Sequence, residues 1–127
     1  MKLQPFEQVD AVPFSASSDD VLARCGRPWR EARNGVGLNE LDYGDVVYRF
    51  QDSGRLEEVT ARAERVTIGN VVIRFGTLAA FIRGQDPEAF ERAGFLVSPA
   101  FGLAFDPSEP FWVTALAPHC LPQWRAL

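Results

Sequence analysis

A short helix with a marked start and a marked stop constrains how the first third of the chain can fold. Ser17 or Ser18 can begin a helix that runs to Cys25, because a hydroxyl group accepts hydrogen bonds from the free amides of a first helical turn. Gly26 then favours the left-handed conformation that ends helices, and Pro28 prevents the helix from continuing. The sequence therefore predicts one short helix followed by a non-helical segment.

Alternating apolar and polar residues predict strands after this helix. Residues 46–51 alternate as a half-buried strand does, and the Gly-containing turn at residues 52–54 predicts a hairpin. Two β-branched runs in residues 66–75 flank the pair Gly69-Asn70, which suits a two-residue hairpin turn. Residues 56–66 fit either a helix or a strand, and their position between strand signals favours a strand.

The second half of the chain repeats the order of helix and then strands. Residues 77–84 and 86–94 carry helical start and stop signals, the second beginning with Asp, Pro and Glu. Phe101 and Phe105 then lie in a run of period two, which predicts a strand with these rings in the core, and residues 111–116 predict the last strand.

Together these signals predict the fold class α+β. We expect a single-layer, twisted, mostly antiparallel sheet with short helices packed on one face. The repeated order of elements further suggests two halves, each made of helix and hairpins. At 127 residues the chain fits one globular domain spanning residues 1–127.

Charge and hydropathy narrow the classes of partner. The net charge of −4 argues against tracking of nucleic-acid phosphates, which requires a basic face. No run approaches the roughly 18 apolar residues of a membrane-spanning helix, and the first residues lack the pattern of a signal peptide. We therefore expect a cytoplasmic protein that binds neither nucleic acid nor a membrane.

Part of the chain resembles a known protein module. Its helix is followed by Gly26-Arg27-Pro28, then by Leu41-Asp42-Tyr43-Gly44, and then by the hairpin of Val47–Phe50 and Asp52–Leu56. This order, over about residues 15–60, is similar to the unit found in small outer-membrane-assembly lipoproteins and in the β-lactamase-inhibitor-like fold. The resemblance implies a scaffold that binds other proteins through a sheet face or loops. A lipoprotein role is not expected, because no lipid-acceptor Cys lies near the N-terminus.

Residue types that carry chemistry are sparse. His119 and Cys120 adjoin in sequence, but catalytic Cys–His pairs usually come from distant segments, so we interpret both as structural or exposed. With one His and two separated Cys, no spacing typical of a zinc site is present, and we predict no metal, no cofactor and no enzymatic activity. Cys25 and Cys120 are expected to be reduced and packed. The acidic pair Glu57-Glu58 is interpreted as part of a solvated strand.

The candidate partner-binding residues are aromatic or acidic. They cluster around the Gly-rich loop and on the last strand, where Trp and Tyr can act as binding anchors. An alternative remains open for the two tryptophans: Trp29 can instead pin its loop, and Trp112 can instead pack in the core. The candidates are Trp29, Glu40, Asp42, Tyr43, Asp45 and Trp112.

The leading functional hypothesis is a non-enzymatic protein-binding module. In size, acidity and lack of catalytic signatures the chain resembles the small immunity proteins that neutralise toxins of competing bacteria, which implies an inhibitor of a basic effector protein. The alternative is a small-molecule-binding or enzymatic α+β domain with an aromatic pocket between sheet and helices. A third possibility is assembly through a sheet edge, so both a monomer and a homodimer remain open.

Overall fold

A computed structural model describes all 127 residues of the chain. The fold is α+β with mostly antiparallel sheets and short helices, which confirms the predicted class. The helices are α1 (Ser18–Cys25), α2 (Phe75–Gln85) and α3 (Leu121–Arg125), with a 3-10 turn at Pro118–Cys120 before α3. None of these helices has the length and apolarity that crossing a membrane requires.

Thirteen strands make up the sheets, and most of them are short. They are β1 (Lys2–Gln4), β2 (Gln8–Val9), β3 (Val12–Pro13), β4 (Arg30–Arg33), β5 (Asn39–Asp42), β6 (Val46–Phe50), β7 (Leu56–Arg62), β8 (Arg65–Ile68), β9 (Val71–Arg74), β10 (Phe90–Arg92), β11 (Phe95–Ser98), β12 (Leu103–Phe105) and β13 (Trp112–Leu116). The ambiguous segment after the first hairpin is thus a strand, β7, and the turn at Gly69-Asn70 joins β8 to β9 as predicted.

The larger sheet has eight strands in the order β10-β11-β12-β13-β7-β6-β5-β4, and all of its pairings are antiparallel. It consists of two four-stranded meanders, β4–β7 and β10–β13, and one of the longer helices precedes each meander in the chain. The last strands of the two meanders, β7 and β13, pair at the centre of the sheet. The repeated order of helix and strands in the sequence therefore corresponds to the two halves of this sheet.

The remaining strands form a second sheet, where the sequence predicted only one. Its order is β3-β2-β1-β8-β9, and β1 runs parallel to β8. Lys2 lies opposite Thr67 in this pairing, so the contact joins segments more than 60 residues apart in the chain. Alternation within a strand indicates which face is buried but not which distant edge the strand will join, and this explains the difference.

The main hydrophobic core lies between the eight-stranded sheet and the elements packed on one of its faces. Val21 of α1 and Leu78 and Ile82 of α2 are fully buried there, together with Phe50 of β6 and Val113 of β13. The core also receives apolar side chains from β1–β3 and from β8–β9. Both longer helices therefore cover the same face, as predicted.

Helix α1 begins as its sequence indicates. The Ser17 hydroxyl accepts a hydrogen bond from the backbone N–H of Asp20, and the Asp20 carboxylate accepts one from the backbone N–H of Ser17. This reciprocal pair satisfies two amides that the first turn of a helix leaves free. Gly26 follows the last helical residue with a φ of 77°.

The helix predicted for residues 86–94 does not form. Helix α2 ends at Gln85, and Asp86 is a buried turn residue. Its carboxylate accepts hydrogen bonds from the Ser98 hydroxyl at 2.7 Å and from the Ala100 and Glu88 amides at 3.0 and 2.9 Å. Asp86 thus ties this turn to β11 and the loop after it instead of capping a helix. Residues 90–92 can then pair with β11 as β10.

Replacement of Phe105 by Ala should destabilise the fold by about 3–5 kcal/mol, because it leaves a cavity in a packed core. The Phe105 ring is 1% exposed and lies edge-to-face against Phe75, with ring centroids 5.8 Å apart. Val72→Ala, on a side chain that is 59% exposed, is the matched control and should change stability by less than about 0.5 kcal/mol. Chemical denaturation measures both. Equal midpoints for Phe105→Ala and wild type would contradict the core assignment.

Candidate functional site

The two faces of the eight-stranded sheet differ in chemistry. One face packs on the helices, and side chains of alternate positions point to the opposite face. There the cross-strand register sets Glu40 opposite Arg49 and Arg49 opposite Glu58. In the next row, Thr60 of β7 lies opposite Thr114 of β13. We call this surface the polar face.

Arg49 is the centre of the polar face. Its Nε donates a hydrogen bond to Glu40 Oε2 at 2.7 Å, and its Nη1 donates to the Thr60 hydroxyl and lies 3.6 Å from Glu58 Oε2. Thr60 and Thr114 share a further hydrogen bond of 2.8 Å across the central strand pair. Because the three charged side chains are only 15–20% exposed, this network is held in one arrangement by packing as well as by charge.

Helix α3 covers one end of the polar face. Trp124 packs edge-to-face on Phe95, with ring centroids 5.3 Å apart, and its indole Nε1 donates to Glu58 Oε1 at 3.3 Å. Burial raises the pKa of Glu58, and this outweighs the opposing effects of Arg49 and of the Trp124 hydrogen bond. Glu58 is therefore a carboxylate held at an energetic cost between two strands and a helix.

An acidic cleft opens between the polar face, α3 and the neighbouring loops. It comprises two adjoining cavities of about 710 and 470 Å³ that share Glu58 and Trp124. Asp52 lines the larger cavity and forms an ion pair with Arg33, which is not part of the lining. Five carboxylates and one guanidinium line the cleft: Glu40, Asp52, Glu58, Asp106 and Glu109, with Arg49.

The structure brings two of the predicted binding residues into this cleft. Glu40 belongs to the network on the polar face, and Trp112 lines the smaller cavity. Trp112 is 38% exposed, so the alternative that it packs in the core is wrong. Its side chain shares the face of Thr114, two residues further along β13, which is why it reaches the cleft and not the main core.

The other four candidates lie towards the turn between β5 and β6. Asp42 shares the face of Glu40 but lies outside the cleft lining, and Asp45 is exposed in the turn. Tyr43 is held on the opposite side, where its hydroxyl donates to the Gly26 carbonyl at 2.8 Å. Trp29 is 85% exposed, so it does not pin its loop by burial.

Trp29 nevertheless has a defined place on this turn. Its ring lies against Gly44, where a Cβ atom would come within 3.5 Å of the indole. Gly44 also has a φ of 92°, which side chains disfavour. Gly44 therefore permits the turn, whereas a Cβ atom at this position would make only an ordinary van der Waals contact with the Trp29 ring.

Sequence reasoning missed three residues that shape the cleft: Arg49, Glu58 and Trp124. Arg49 and Glu58 occupy outward positions of strands, where a charged residue usually faces solvent, and only the cross-strand register reveals that they meet. Trp124 lies after the last predicted strand, where no element was predicted, although its spacing from Leu121 fits one helical turn. That spacing and the position of Pro122 in the first helical turn were the signals in the sequence for α3.

A second cluster joins the His–Cys pair to Glu57. The Cys120 thiol donates to Glu57 Oε2 at 2.8 Å, and His119 Nε2 lies 2.5 Å from the same oxygen. The prediction that Glu57 belongs to a solvated strand is wrong, because its side chain is 2% exposed. Pairing between β6 and β7 skips Glu57 at a β-bulge, and such a bulge re-aims a side chain out of the normal alternation.

The two cysteines have different environments. Cys120 is buried, whereas Cys25 is exposed, so the expectation that both are packed is wrong for Cys25. Burial raises the pKa of the Cys120 thiol, and the neighbouring Glu57 carboxylate raises it further. A nucleophilic cysteine needs the opposite, a lowered pKa and a base that accepts its proton. In this arrangement the thiol is a hydrogen-bond donor.

Glu58→Gln should change how stability depends on pH. A raised pKa means that the stability contributed by Glu58 is fully present below its ordinary pKa of 4.5 and is lost as pH rises through the folded value. Gln keeps an acceptor for Trp124 but does not titrate. The free energy of unfolding of wild type relative to Glu58→Gln should therefore fall as pH rises above 4.5 in urea titrations. A difference that grows with pH would contradict the assignment.

Comparisons with known proteins do not assign the chain to a family. No family model, no curated protein and no solved structure matches it. The geometry and charge of the acidic cleft and of the Glu57 cluster are therefore the basis for any inference about function.

Proposed function

We propose that the protein is a non-enzymatic binding module, an immunity-type inhibitor that receives cationic side chains of a basic effector protein in its acidic cleft. The observation that carries this proposal is the imbalance of charge in the cleft. Five carboxylates face it, whereas Arg49 within it and Arg33 beside it are the guanidinium groups paired with them. A guanidinium or ammonium group from a partner would offset the remaining negative charge.

The carboxylates are arranged so that a partner can reach some of them. Glu109 is exposed and forms no ion pair or side-chain hydrogen bond, and Asp106 beside it has its pKa lowered mainly by hydrogen bonds from Ser108. Both lie at the rim of the cleft, where a partner can reach them. Glu40 and Glu58 lie deeper and are held by Arg49, so they form a pre-ordered floor that needs little reorganisation on binding.

Aromatic side chains border the cleft and suit this kind of partner. Trp112 is 38% exposed at the smaller cavity, and Phe95 and Trp124 line the same space. Tryptophan is enriched among the residues that dominate binding energy, and its ring also attracts cations lying over its face. The combination of carboxylates and aromatic rings favours Arg or Lys over neutral side chains.

The net negative charge of the chain favours attraction of a basic partner over longer distances. Its net charge is −4, and a negative field steers cationic proteins during encounter. The resemblance to the β-lactamase-inhibitor-like module implies partner binding through a sheet face or loops, which accords with a site on the polar face. Association should accordingly be faster at low than at high ionic strength.

The alternative is a small-molecule site in the larger cavity. Its volume of about 710 Å³ lies within the range typical of ligand pockets. It lies between the polar face and α3, a helix that the sequence did not predict. A metabolite that raises the melting temperature of the wild type but not of Trp124→Ala would favour this alternative over the inhibitor.

Glu109→Lys should weaken binding of a nona-arginine peptide about three- to tenfold. The substitution replaces one exposed ion pair between Glu109 and the peptide by a repulsion between two cations. The matched control is Glu7→Lys, which makes the same change in net charge on an exposed residue between β1 and β2 of the other sheet. Calorimetric titration at low and moderate ionic strength measures both variants. Equal weakening by the two variants would show a general charge effect and contradict a site in the cleft.

Capture of the natural partner tests the inhibitor hypothesis itself. A photo-crosslinking residue in place of Trp112 should capture a basic protein in host cells, whereas the same residue in place of Val72 on the smaller sheet should not. The captured protein, once purified, should bind the wild type and bind Glu109→Lys more weakly than Glu7→Lys. Loss of the captured protein's activity on binding is the expected result. An acidic partner, or one unaffected by Glu109→Lys, would contradict the proposal.

A further inference from the structure

Three potential metal ligands from two distant segments of the chain lie close together outside the acidic cleft. Glu57 Oε2, His119 Nε2 and Cys120 Sγ all lie within 4.8 Å of one another. They are a carboxylate oxygen, an imidazole nitrogen and a thiol sulfur, which are the three ligand types that proteins use for zinc. We propose that Glu57, His119 and Cys120 form a binding site for a zinc-type divalent transition-metal ion.

The contacts of the Glu57 carboxylate favour a shared cation. Its Oε2 approaches His119 Nε2 at 2.5 Å and Cys120 Sγ at 2.8 Å. The first contact does not have hydrogen-bond geometry, and His119 Nε2 is a buried nitrogen without a hydrogen-bond partner. A nitrogen and a carboxylate oxygen this close repel unless a proton or a metal ion lies between them. A metal ion at this point would satisfy all three atoms, after an outward shift that brings each to a normal bond length.

Arg55 supplies the outer contact that metal-binding carboxylates usually have. Its Nε and Nη2 each lie 3.3 Å from Glu57 Oε1, the oxygen that faces away from His119 and Cys120. Arg55 thus leaves Oε2 free as a single-oxygen ligand and fixes the orientation of the carboxylate. Such outer partners hold the ligands of metal sites in place.

The backbone holds the two halves of the site together. The bulge in β7 directs Glu57 inward, and the 3-10 turn at Pro118–Cys120 presents His119 and Cys120 on the same side. The Ala117 amide donates to the Glu57 carbonyl at 2.9 Å, which fixes the turn against the bulge. These contacts do not depend on a metal, so the three ligands are held near one another before an ion binds.

A route from solvent reaches the site on the His119 side. The His119 side chain is 30% exposed and borders a surface cavity of about 460 Å³. A water molecule from this cavity can supply the fourth ligand of a tetrahedral ion. Binding replaces the Cys120 thiol proton, which leaves to solvent, and forms a metal–sulfur bond in its place.

Cobalt(II) titration of the reduced protein tests the proposal, because a cobalt–thiolate bond has a charge-transfer absorption band. The wild type should show this band with a stoichiometric end point, and zinc should abolish it by competition. Cys120→Ser should lose the band, and His119→Gln should weaken cobalt binding by at least about 100-fold, more than loss of an outer contact does. Cys25→Ser, which removes the exposed cysteine, should bind as the wild type does.

Two further measurements distinguish a loss of metal binding from a failure to fold. Circular dichroism of each variant without metal reports whether it folds, and His119→Gln should fold, since the His119 side chain is partly exposed and borders a surface cavity. Zinc should raise the melting temperature of the wild type and of Cys25→Ser but not of Cys120→Ser. Absence of the cobalt band in the wild type, its persistence in Cys120→Ser or its loss in Cys25→Ser would overturn the proposed site.

Discussion

The pairing of β7 with β13 is the contact on which the rest of the structure depends. It joins the two four-stranded meanders into one sheet through five cross-strand positions, from Trp112 opposite Arg62 to Leu116 opposite Glu58. These strands are about 50 residues apart in the chain, so closing this loop costs more entropy than forming either meander. Burial of Val59, Val113 and Ala115 on the helix side offsets that cost.

The same pairing brings the acidic cleft and the Glu57 cluster together. On the polar face it places Thr60 beside Thr114, and Trp112 in the cleft that Glu58 also lines. After β13 the chain turns back across this face, so that Cys120 meets the bulge in β7 and Trp124 meets Glu58. Both proposed sites therefore combine residues of the first meander with residues of the second meander or of the segment that follows β13.

The sequence allowed prediction of local structure better than of the sites. The cap at Ser17, the turn at Gly69-Asn70 and the strand character of β7 all follow from neighbouring residues, and all are present. The division into two sheets depends on a parallel contact between distant strands, which no local pattern specifies. Glu57 was misjudged for a related reason: a single-residue bulge reverses the side on which a side chain lies, and this bulge was not evident from the sequence.

The central claim is that the polar face, assembled by the β7–β13 pairing, binds cationic groups. Chemical-shift mapping of the isotopically labelled protein with a nona-arginine peptide tests it most directly. We expect the largest shifts at the Trp112 and Trp124 indoles and at amides of β5, β6, β7 and β13 around Arg49, with none in β1–β3, β8 or β9. Shifts confined to the smaller sheet, or spread evenly over the acidic residues of the whole surface, would contradict the claim.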